Sequence, residues 1–320
     1  MPKINMVQAI VLALKEEMQR DRDVVVLGED VGKDGGVFRA TEGLLAEFGP
    51  DRVIDTPLAE SGIVGTAIGM AVYGLKPVAE IQFMGFTYPA LDQIYSHAAR
   101  VRSRSRGRFS CPLVVRTPYG IGIKAPELHS ESSEALYCHM PGIKVVVPSS
   151  PYTAKGLLIS AIRDPDPVIF LESTRLYRLM KEDVPEGEYT IPLGKARVAR
   201  AGSEVTLVAW GSMLHRSLQA VEGLDVDVID LMTLTPFDEE TVYKSVKKTG
   251  RVVIVYEAPR TGGFGGEIAA SIAEDLMLHL RAPIMRVSGY DAVLPLARLE
   301  DHFAPSVDRI RKAVEESLKY

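Results

Sequence analysis

The stretch Asp55-Thr-Pro-Leu-Ala-Glu-Ser-Gly-Ile-Val-Gly-Thr-Ala-Ile-Gly69 leads from a strand into a helix and places Glu60 at the start of that helix. The preceding residues 52–55 have the pattern of a short buried strand, which Pro57 breaks. The helix that follows has small residues along one face, namely Gly62, Gly65, Ala67, Gly69 and Ala71. Because each helical glycine costs about 1 kcal/mol relative to alanine, this face predicts close packing of a ligand or another helix, and favours a helix contact between subunits.

Short runs rich in β-branched residues alternate with helix-like segments along the whole chain. In the first half these runs are 24–27, 52–54, 77–81, 113–116, 144–147 and 168–171. After a segment between residues 178 and 194 that is too broken by Pro and Gly for a long helix, the runs are 205–210, 226–231, 252–256 and 284–287. Near-continuous apolar strands separated by amphipathic helices predict an α/β fold with two doubly wound, mainly parallel sheets. We expect one domain over residues 1–185 and a second over residues 186–320.

Composition is that of a globular chain with a large core, since 46% of the 320 residues are apolar and 25% are charged. No apolar run reaches the roughly 18 residues of a membrane span, and the amino terminus lacks a signal-peptide pattern, so a cytoplasmic location is expected. The net charge of −5 gives no reason to expect a nucleic acid partner. Five arginines alternate between residues 100 and 108 at the end of the helix expected after Pro89, which favours a solvated or intersubunit surface.

Polar and aromatic side chains follow three of the predicted strands. Glu60 alone could be an ordinary acid in the first turn of a helix, where the helix dipole favours it. However, residues 80–86 (Glu-Ile-Gln-Phe-Met-Gly-Phe) follow a second strand, and residues 126–130 (Pro-Glu-Leu-His-Ser) lie in a glycine-rich loop. Because ligands of open parallel sheets bind at the carboxyl ends of the strands, these three segments are expected to form one site.

Several motifs resemble one known family, and they occur in the order in which that family has them. The motifs are Gly28-Glu-Asp-Val-Gly32, Gly35-Gly-Val-Phe-Arg-Ala-Thr-Glu-Gly43, Asp55-Thr-Pro-Leu-Ala-Glu-Ser-Gly62, Glu80-Ile-Gln-Phe83, Leu128-His-Ser130 and Glu257-Ala-Pro-Arg-Thr-Gly-Gly263. They resemble the β subunits of the thiamine-diphosphate-dependent 2-oxo acid dehydrogenases, the decarboxylating components of the pyruvate and branched-chain multienzyme complexes. The resemblance covers essentially the whole chain. It implies a thiamine-pyrimidine-binding domain followed by a transketolase-like C-terminal domain.

The resemblance also implies roles for five residues. Glu60 would be the acid that faces N1′ of the cofactor pyrimidine and so favours the 4′-imino form that deprotonates the thiazolium C2. Phe86 would pack on the pyrimidine ring, and Leu58 and Gln82 would line the same pocket. His129 would lie near the reactive carbon and take part in acyl transfer to a lipoyl group, for which an imidazole with a pKa near 6.5 is suited.

Metal sites and partners are implied in the same way. Family members hold a structural potassium ion through backbone carbonyls, which here would belong to Leu113, Val114, Ala161, Asp164 and Asp166. The cofactor diphosphate is normally held by Mg²⁺ through a Gly-Asp-Gly motif, which this chain lacks. The resemblance therefore implies an α subunit in an α2β2 heterotetramer that supplies the magnesium ligands. It also implies that the second domain docks the lipoyl acyltransferase core, near Tyr320.

Some alternatives remain open from the sequence. Residues 286–291 and 258–264 look more like the branched-chain type, so branched-chain 2-oxo acids are the expected substrates, with pyruvate as the alternative. A complete transketolase-like enzyme that acts alone, or a non-catalytic α/β binding module, are less favoured readings. The cluster Thr261-Gly-Gly-Phe-Gly-Gly-Glu267 does not match the G-x-G-x-x-G fingerprint of dinucleotide sites. It is interpreted as a tight turn, although an anion at the following helix remains possible.

Overall fold

The apolar runs of the first half form strands in the computed structural model, which describes residues 3–295 and 297–320. The strands up to residue 183 are β1 (Lys3–Ile4), β2 (Val24–Gly28), β3 (Val53–Asp55), β4 (Lys76–Glu80), β5 (Val114–Tyr119), β6 (Lys144–Val146), β7 (Val168–Ser173) and β8 (Glu182–Asp183). The α-helices are α1 (Met6–Arg20), α2 (Leu44–Phe48), α3 (Glu60–Tyr73), α4 (Val101–Arg104), α5 (Glu134–Cys138) and α6 (Pro151–Arg163). Each predicted strand of this half is therefore present, with its end shifted by one to three residues.

The second half repeats the alternation of strands and helices. Its strands are β9 (Arg197–Arg200), β10 (Val205–Ala209), β11 (Val226–Asp230), β12 (Thr233–Thr235), β13 (Val252–Pro259) and β14 (Met285–Gly289). Its α-helices are α7 (Ser212–Ala220), α8 (Glu239–Thr249), α9 (Gly265–Leu276), α10 (Glu300–Phe303) and α11 (Val307–Ser317). In the described residues the larger sheet has the order β12-β6-β7-β5-β4-β2-β3, and the smaller one has the order β14-β13-β10-β11-β9.

All neighbouring strands from β6 to β3 in the larger sheet are parallel, as are β14, β13, β10 and β11 in the smaller sheet. Their interiors are buried on both faces, which is the condition for a parallel sheet covered by helices. The predicted α/β fold with two doubly wound sheets is confirmed. Strands β9 and β12, each at one edge of its sheet, are antiparallel to their neighbours.

The larger sheet includes one strand from the second half of the chain. Thr233 of β12 is opposite Val146 of β6, and the amide of Val147 donates to the carbonyl of Met232 at 2.8 Å. A strand from beyond the predicted boundary at residue 185 therefore joins the sheet of the first half. The sequence did not indicate this, because β12 is too short to produce a strand pattern. The domain limits themselves stay a prediction.

Helix α3 does not have the single small-residue face that the sequence predicted. Ala67 is fully buried and Ala71 is 3% exposed, whereas Gly62 and Gly69 are exposed. Residues five apart, such as Gly62 and Ala67, lie about 140° apart around a helix, so the bare face consists of the glycines alone. Tyr73 at the end of the helix is 90% exposed. The bare face is therefore at the surface of this chain, and its contact with another subunit stays a prediction.

The segment after Pro89 is not the regular helix that the sequence suggested. It consists of 3-10 turns over 84–90 and 98–100, a π-helical turn over 93–97 and the short α4. Pro89 lies inside the first of these turns, where it cannot supply a helical N–H. The arginines at 106 and 108 lie beyond α4, so the alternation does not run along one helix. No helix within the described residues is long and apolar enough to cross a membrane.

Candidate functional site

Three neighbouring parallel strands, β4, β2 and β3, end at one edge of the larger sheet and carry the candidate residues there. Asp55 ends β3, and its carboxylate accepts from the backbone amides of Gly32 at 2.6 Å and Lys33 at 3.0 Å. These bonds tie the loop after β2 to the end of β3. The sheet order therefore brings the segments after β3 and β4, which the sequence expected in one site, to the same edge as the motif at 28–32, which that expectation did not include.

Glu60 is the first residue of α3 and is half-buried. Glu29, directly after β2, is also half-buried, and burial raises its pKa, with the charges of Asp30 and Glu60 acting in the same direction. The carboxylate of Glu60 is thus close enough to Glu29 to disfavour ionisation of Glu29. Glu29 belongs to a motif quoted from the sequence but was given no role there. Its position directly after β2 was the available signal.

Phe86 and His129 are in contact, although 43 residues separate them in the sequence. Phe83, Phe86 and His129 form a cluster in which the ring centroids of Phe83 and Phe86 are 5.4 Å apart. The imidazole of His129 is edge-on to both, at 4.5 Å from Phe83 and 5.0 Å from Phe86. The Nδ1 atom of His129 is buried and has no hydrogen-bond partner among the described residues. A buried polar atom without a partner is costly, and a ligand that supplies one fits this position.

Leu58 and Gln82 lie on the two segments that leave the sheet at this edge, after β3 and β4. Leu58 precedes α3 and is 72% exposed, which leaves an apolar side chain available for contact. Gln82 is half-buried, and its amide nitrogen is 3.5 Å from a carboxylate oxygen of Asp30. The structure thus places Leu58, Gln82 and Glu60 on the segments that follow β3 and β4.

A buried ionic network lies beneath this edge of the sheet. Arg116 on β5 is 1% exposed and donates to Glu172 on β7 at 2.8 and 2.7 Å, and it also contacts Glu80 at the end of β4. The hydroxyl of Tyr177 donates to Glu172 at 2.6 Å. Burial raises the pKa of Glu80, with Arg116 opposing that effect. Removing any one of these charged groups would leave the others buried without a partner. The network therefore ties β4, β5 and β7 together near this edge.

The backbone groups of the expected potassium site belong to the start of β5, the last turn of α6 and the segment between α6 and β7. The Leu113 carbonyl accepts from Val168 at 2.9 Å, and that of Ala161 accepts from Asp164 at 3.2 Å, so each keeps one lone pair. The carboxylate of Asp164 is engaged by Lys144 at 2.7 Å. Binding of a potassium ion by these backbone carbonyls stays a prediction. Within the described part of the chain, no group of three or more His, Cys, Asp and Glu side chains is placed to hold a metal ion.

The chain is similar to known proteins in sequence and in fold over nearly its whole length. Residues 2–180 match the family model "Transketolase, pyrimidine binding domain", and residues 194–310 match "Transketolase, C-terminal domain". The pyruvate dehydrogenase E1 component subunit beta of Staphylococcus epidermidis is 50% identical over 325 aligned residues, and that of Bacillus subtilis is 48% identical, each with 100% of both chains covered. A solved structure described as a split-gene transketolase, inactive β4 tetramer, has a TM-score of 0.81 at 23% identity and covers 99% of both chains. That structure shares the fold.

The two matched models and the strand-end site define a transketolase-like α/β protein. At this level of identity over its full length, the chain belongs to the β subunits of the thiamine-diphosphate-dependent 2-oxo acid dehydrogenases. It is therefore an oxidoreductase component. The expected preference for branched-chain substrates is not supported, because the relatives at 48 to 50% identity are pyruvate dehydrogenase subunits.

Proposed function

We propose that this chain is the β subunit of a pyruvate dehydrogenase decarboxylating component and is active only together with an α subunit. The full-length similarity to pyruvate dehydrogenase β subunits supports the substrate. The observation that supports the catalytic role is the contact of Phe86 with His129, whose Nδ1 atom is buried without a partner among the described residues. Helix α3, which begins with Glu60, packs against the turn that carries Phe86.

The residues at this edge fit the pyrimidine half of thiamine diphosphate. When bound, that cofactor supplies a nucleophilic carbon for the 2-oxo group and accepts the electron pair released with CO2. The carboxyl of Glu60 would hold a proton at the pyrimidine N1′, and the face of Phe86 would pack on the ring. Leu58 and Gln82 would line the pocket. His129 would hold or deliver a proton beside the reacting carbon during acyl transfer to a lipoyl group.

The remaining groups of the site would come from other chains. Magnesium takes oxygen ligands in octahedral geometry together with phosphates, and we propose that the α subunit supplies them in an α2β2 heterotetramer. The bare, exposed face of α3 is a surface suited to close subunit packing. A potassium ion on the carbonyls near Leu113 and Ala161, and docking of the acyltransferase core near Tyr320, which is 66% exposed, belong to the same proposal.

Co-expression tests the proposal. The chain is purified alone and with the α subunit of the same source, and each preparation is titrated with thiamine diphosphate and Mg²⁺. Decarboxylation with an artificial electron acceptor is then measured for pyruvate and for 3-methyl-2-oxobutanoate. We expect turnover only in the complex, with kcat/KM at least about tenfold higher for pyruvate. Turnover by the isolated chain would show an enzyme that acts alone, and a preference for the branched substrate would contradict the assignment.

A further inference from the structure

His129 lies on a loop whose tip is exposed and whose ends are held together. Residues 120–131, here called the His129 loop, leave the sheet after β5 and return before α5. The amide of Gly120 donates to the carbonyl of Glu131 at 2.8 Å, which closes the neck of the loop. Residues 122–124 and 126–128 are exposed. The loop is therefore held at two places, by its neck and by the packing of His129 against Phe83 and Phe86.

A carboxylate from the second half of the chain spans this neck. Glu257 lies on β13 and is 2% exposed. One of its oxygens accepts from the amide of Ile121, in the first arm of the loop just after β5, at 2.5 Å. The same oxygen lies 3.4 Å from the hydroxyl of Ser132, which directly follows the loop and precedes α5. The other oxygen accepts from the hydroxyl of Ser212, at the start of α7, at 2.9 Å.

Two further contacts hold the same neck. The amide of Gly122 donates to the carboxylate of Glu300, which is 1% exposed, at 2.9 Å. The hydroxyl of Thr174 lies within hydrogen-bond distance of the carbonyls of Gly120, at 2.9 Å, and Ile121, at 3.0 Å, and shares its single proton between them. Glu257 and Glu300 both belong to the second half of the chain. The second half thus contributes two buried acceptors to the neck of a first-half loop.

We propose that Glu257 is a positioning residue for the His129 loop, and that it fixes the imidazole against Phe83 and Phe86. Burial of a carboxylate is unfavourable unless donors surround it, and here the donors come from both arms of the loop and from α7. Loss of the acceptor would leave the amide of Ile121 buried without a partner. The loop would then open at its neck, and the imidazole would lose its position. The catalytic part of this inference depends on the proposed role of His129.

The test uses three variants of the full chain in complex with its α subunit. Glu257→Ala removes the acceptor, whereas Glu257→Gln keeps an amide oxygen for Ile121 and an amide donor for Ser212. Asp227→Asn is the matched control, because Asp227 is a carboxylate of the second half that is likewise 2% exposed and bonds Ser245 and Lys248 at 2.6 Å. Hydrogen exchange of the peptide over residues 120–131 reports the neck directly. Lipoyl-domain acylation and decarboxylation to an artificial acceptor are measured in parallel.

In Glu257→Ala we expect exchange of the 120–131 peptide to rise about tenfold or more, with the peptide over β10 unchanged. Acylation should fall about tenfold and decarboxylation by less than about threefold, and Glu257→Gln should restore both readouts to within about threefold of the original chain. The inference is overturned if exchange at 120–131 is unchanged, or if Asp227→Asn loosens that peptide equally. Because exchange does not depend on turnover, it gives an answer even if the proposed function fails. Loosening without a selective loss of acylation would overturn the catalytic part.

Discussion

The indole N–H of Trp210 donates to the carboxyl of Glu134 at 3.3 Å, across the boundary between the two halves of the chain. Glu134 is fully buried, and burial raises its pKa to about 7, with Trp210 opposing that shift and Glu257 adding to it. The contact between the halves therefore includes a carboxyl group that titrates near neutral pH. Its protonated form is favoured in the folded state.

The pH dependence of stability should change in Glu134→Gln. Since the folded-state pKa lies above the unfolded value near 4.5, the stabilisation from Glu134 is fully present below pH 4.5 and is lost as the pH rises through 7. We expect the stability difference between the original chain and Glu134→Gln to shift by about 2 to 3 kcal/mol between pH 5 and 8. Urea unfolding at both pH values measures it. The raised pKa of Glu134 would be contradicted if the difference in unfolding free energy were the same at pH 5 and pH 8, as is expected for the exposed control Glu240→Gln.

Replacing Glu60 by Gln should remove decarboxylation while leaving the fold intact. The proton at the pyrimidine would be lost, and positioned acid groups contribute about 10² to 10⁴ in rate. The stability loss should stay below about 1 kcal/mol, because the residue lies in the first turn of α3. The measurements are steady-state turnover of the complex and thermal unfolding. Glu240→Gln, at the start of α8, is the matched control, and near-normal turnover in Glu60→Gln would remove the central assignment.

Phe86→Leu should weaken cofactor binding. The substitution keeps an apolar side chain but removes the ring face, which is expected to lower affinity for thiamine diphosphate by about 2- to 10-fold. Titration of the complex with cofactor at saturating Mg²⁺ gives the dissociation constant. Phe109→Leu, at a position that is 50% exposed, should bind normally. Equal affinities in all three proteins would show that Phe86 only fills space between Phe83 and His129.

His129→Gln should separate the two half-reactions. Proton transfer at the reacting carbon would be lost, so acylation of a lipoyl domain is expected to fall about 100-fold, whereas decarboxylation to an artificial acceptor should fall much less. The ratio of the two rates is the measured quantity. His279→Gln, at an exposed position, serves as the control. A parallel loss of both activities would show a role in cofactor binding instead of acyl transfer.

Arg116→Met should destabilise the first half of the chain. It would leave Glu80 and Glu172 buried without their cation, at a cost of about 3 to 5 kcal/mol. Arg102→Met is the comparison, because the pair of Arg102 and Asp166 at 2.6 Å is partly exposed and should contribute less than about 1 kcal/mol. Urea unfolding of the two variants gives both values. If both variants lost the same small amount of unfolding free energy, Glu80 and Glu172 would have to become protonated in Arg116→Met without a measurable cost.

The sequence predicted those strands that are local apolar runs with recognisable breaks at either end. It did not reveal β1, β8, β9 or β12, which have only two to four residues and no such run, or the irregular turns after Pro89. That the strand ends carry one site stays a prediction, although the parallel order brings the ends of β4, β2 and β3 to one edge. The sequence did not single out Glu29 as a site residue, because one acidic residue after a strand forms no repeating pattern.

The sequence by itself determined the α/β class, the order of the motifs and the candidates Glu60, Phe86 and His129, because these depend on local pattern and on family resemblance. Only the tertiary structure decided that Glu257 holds the neck of the His129 loop, since the contact joins residues 136 positions apart. It also decided that Glu134 meets Trp210 and that Arg116 lies between two carboxylates. Burial and hydrogen-bond geometry arise when distant segments pack together, and no local pattern encodes them.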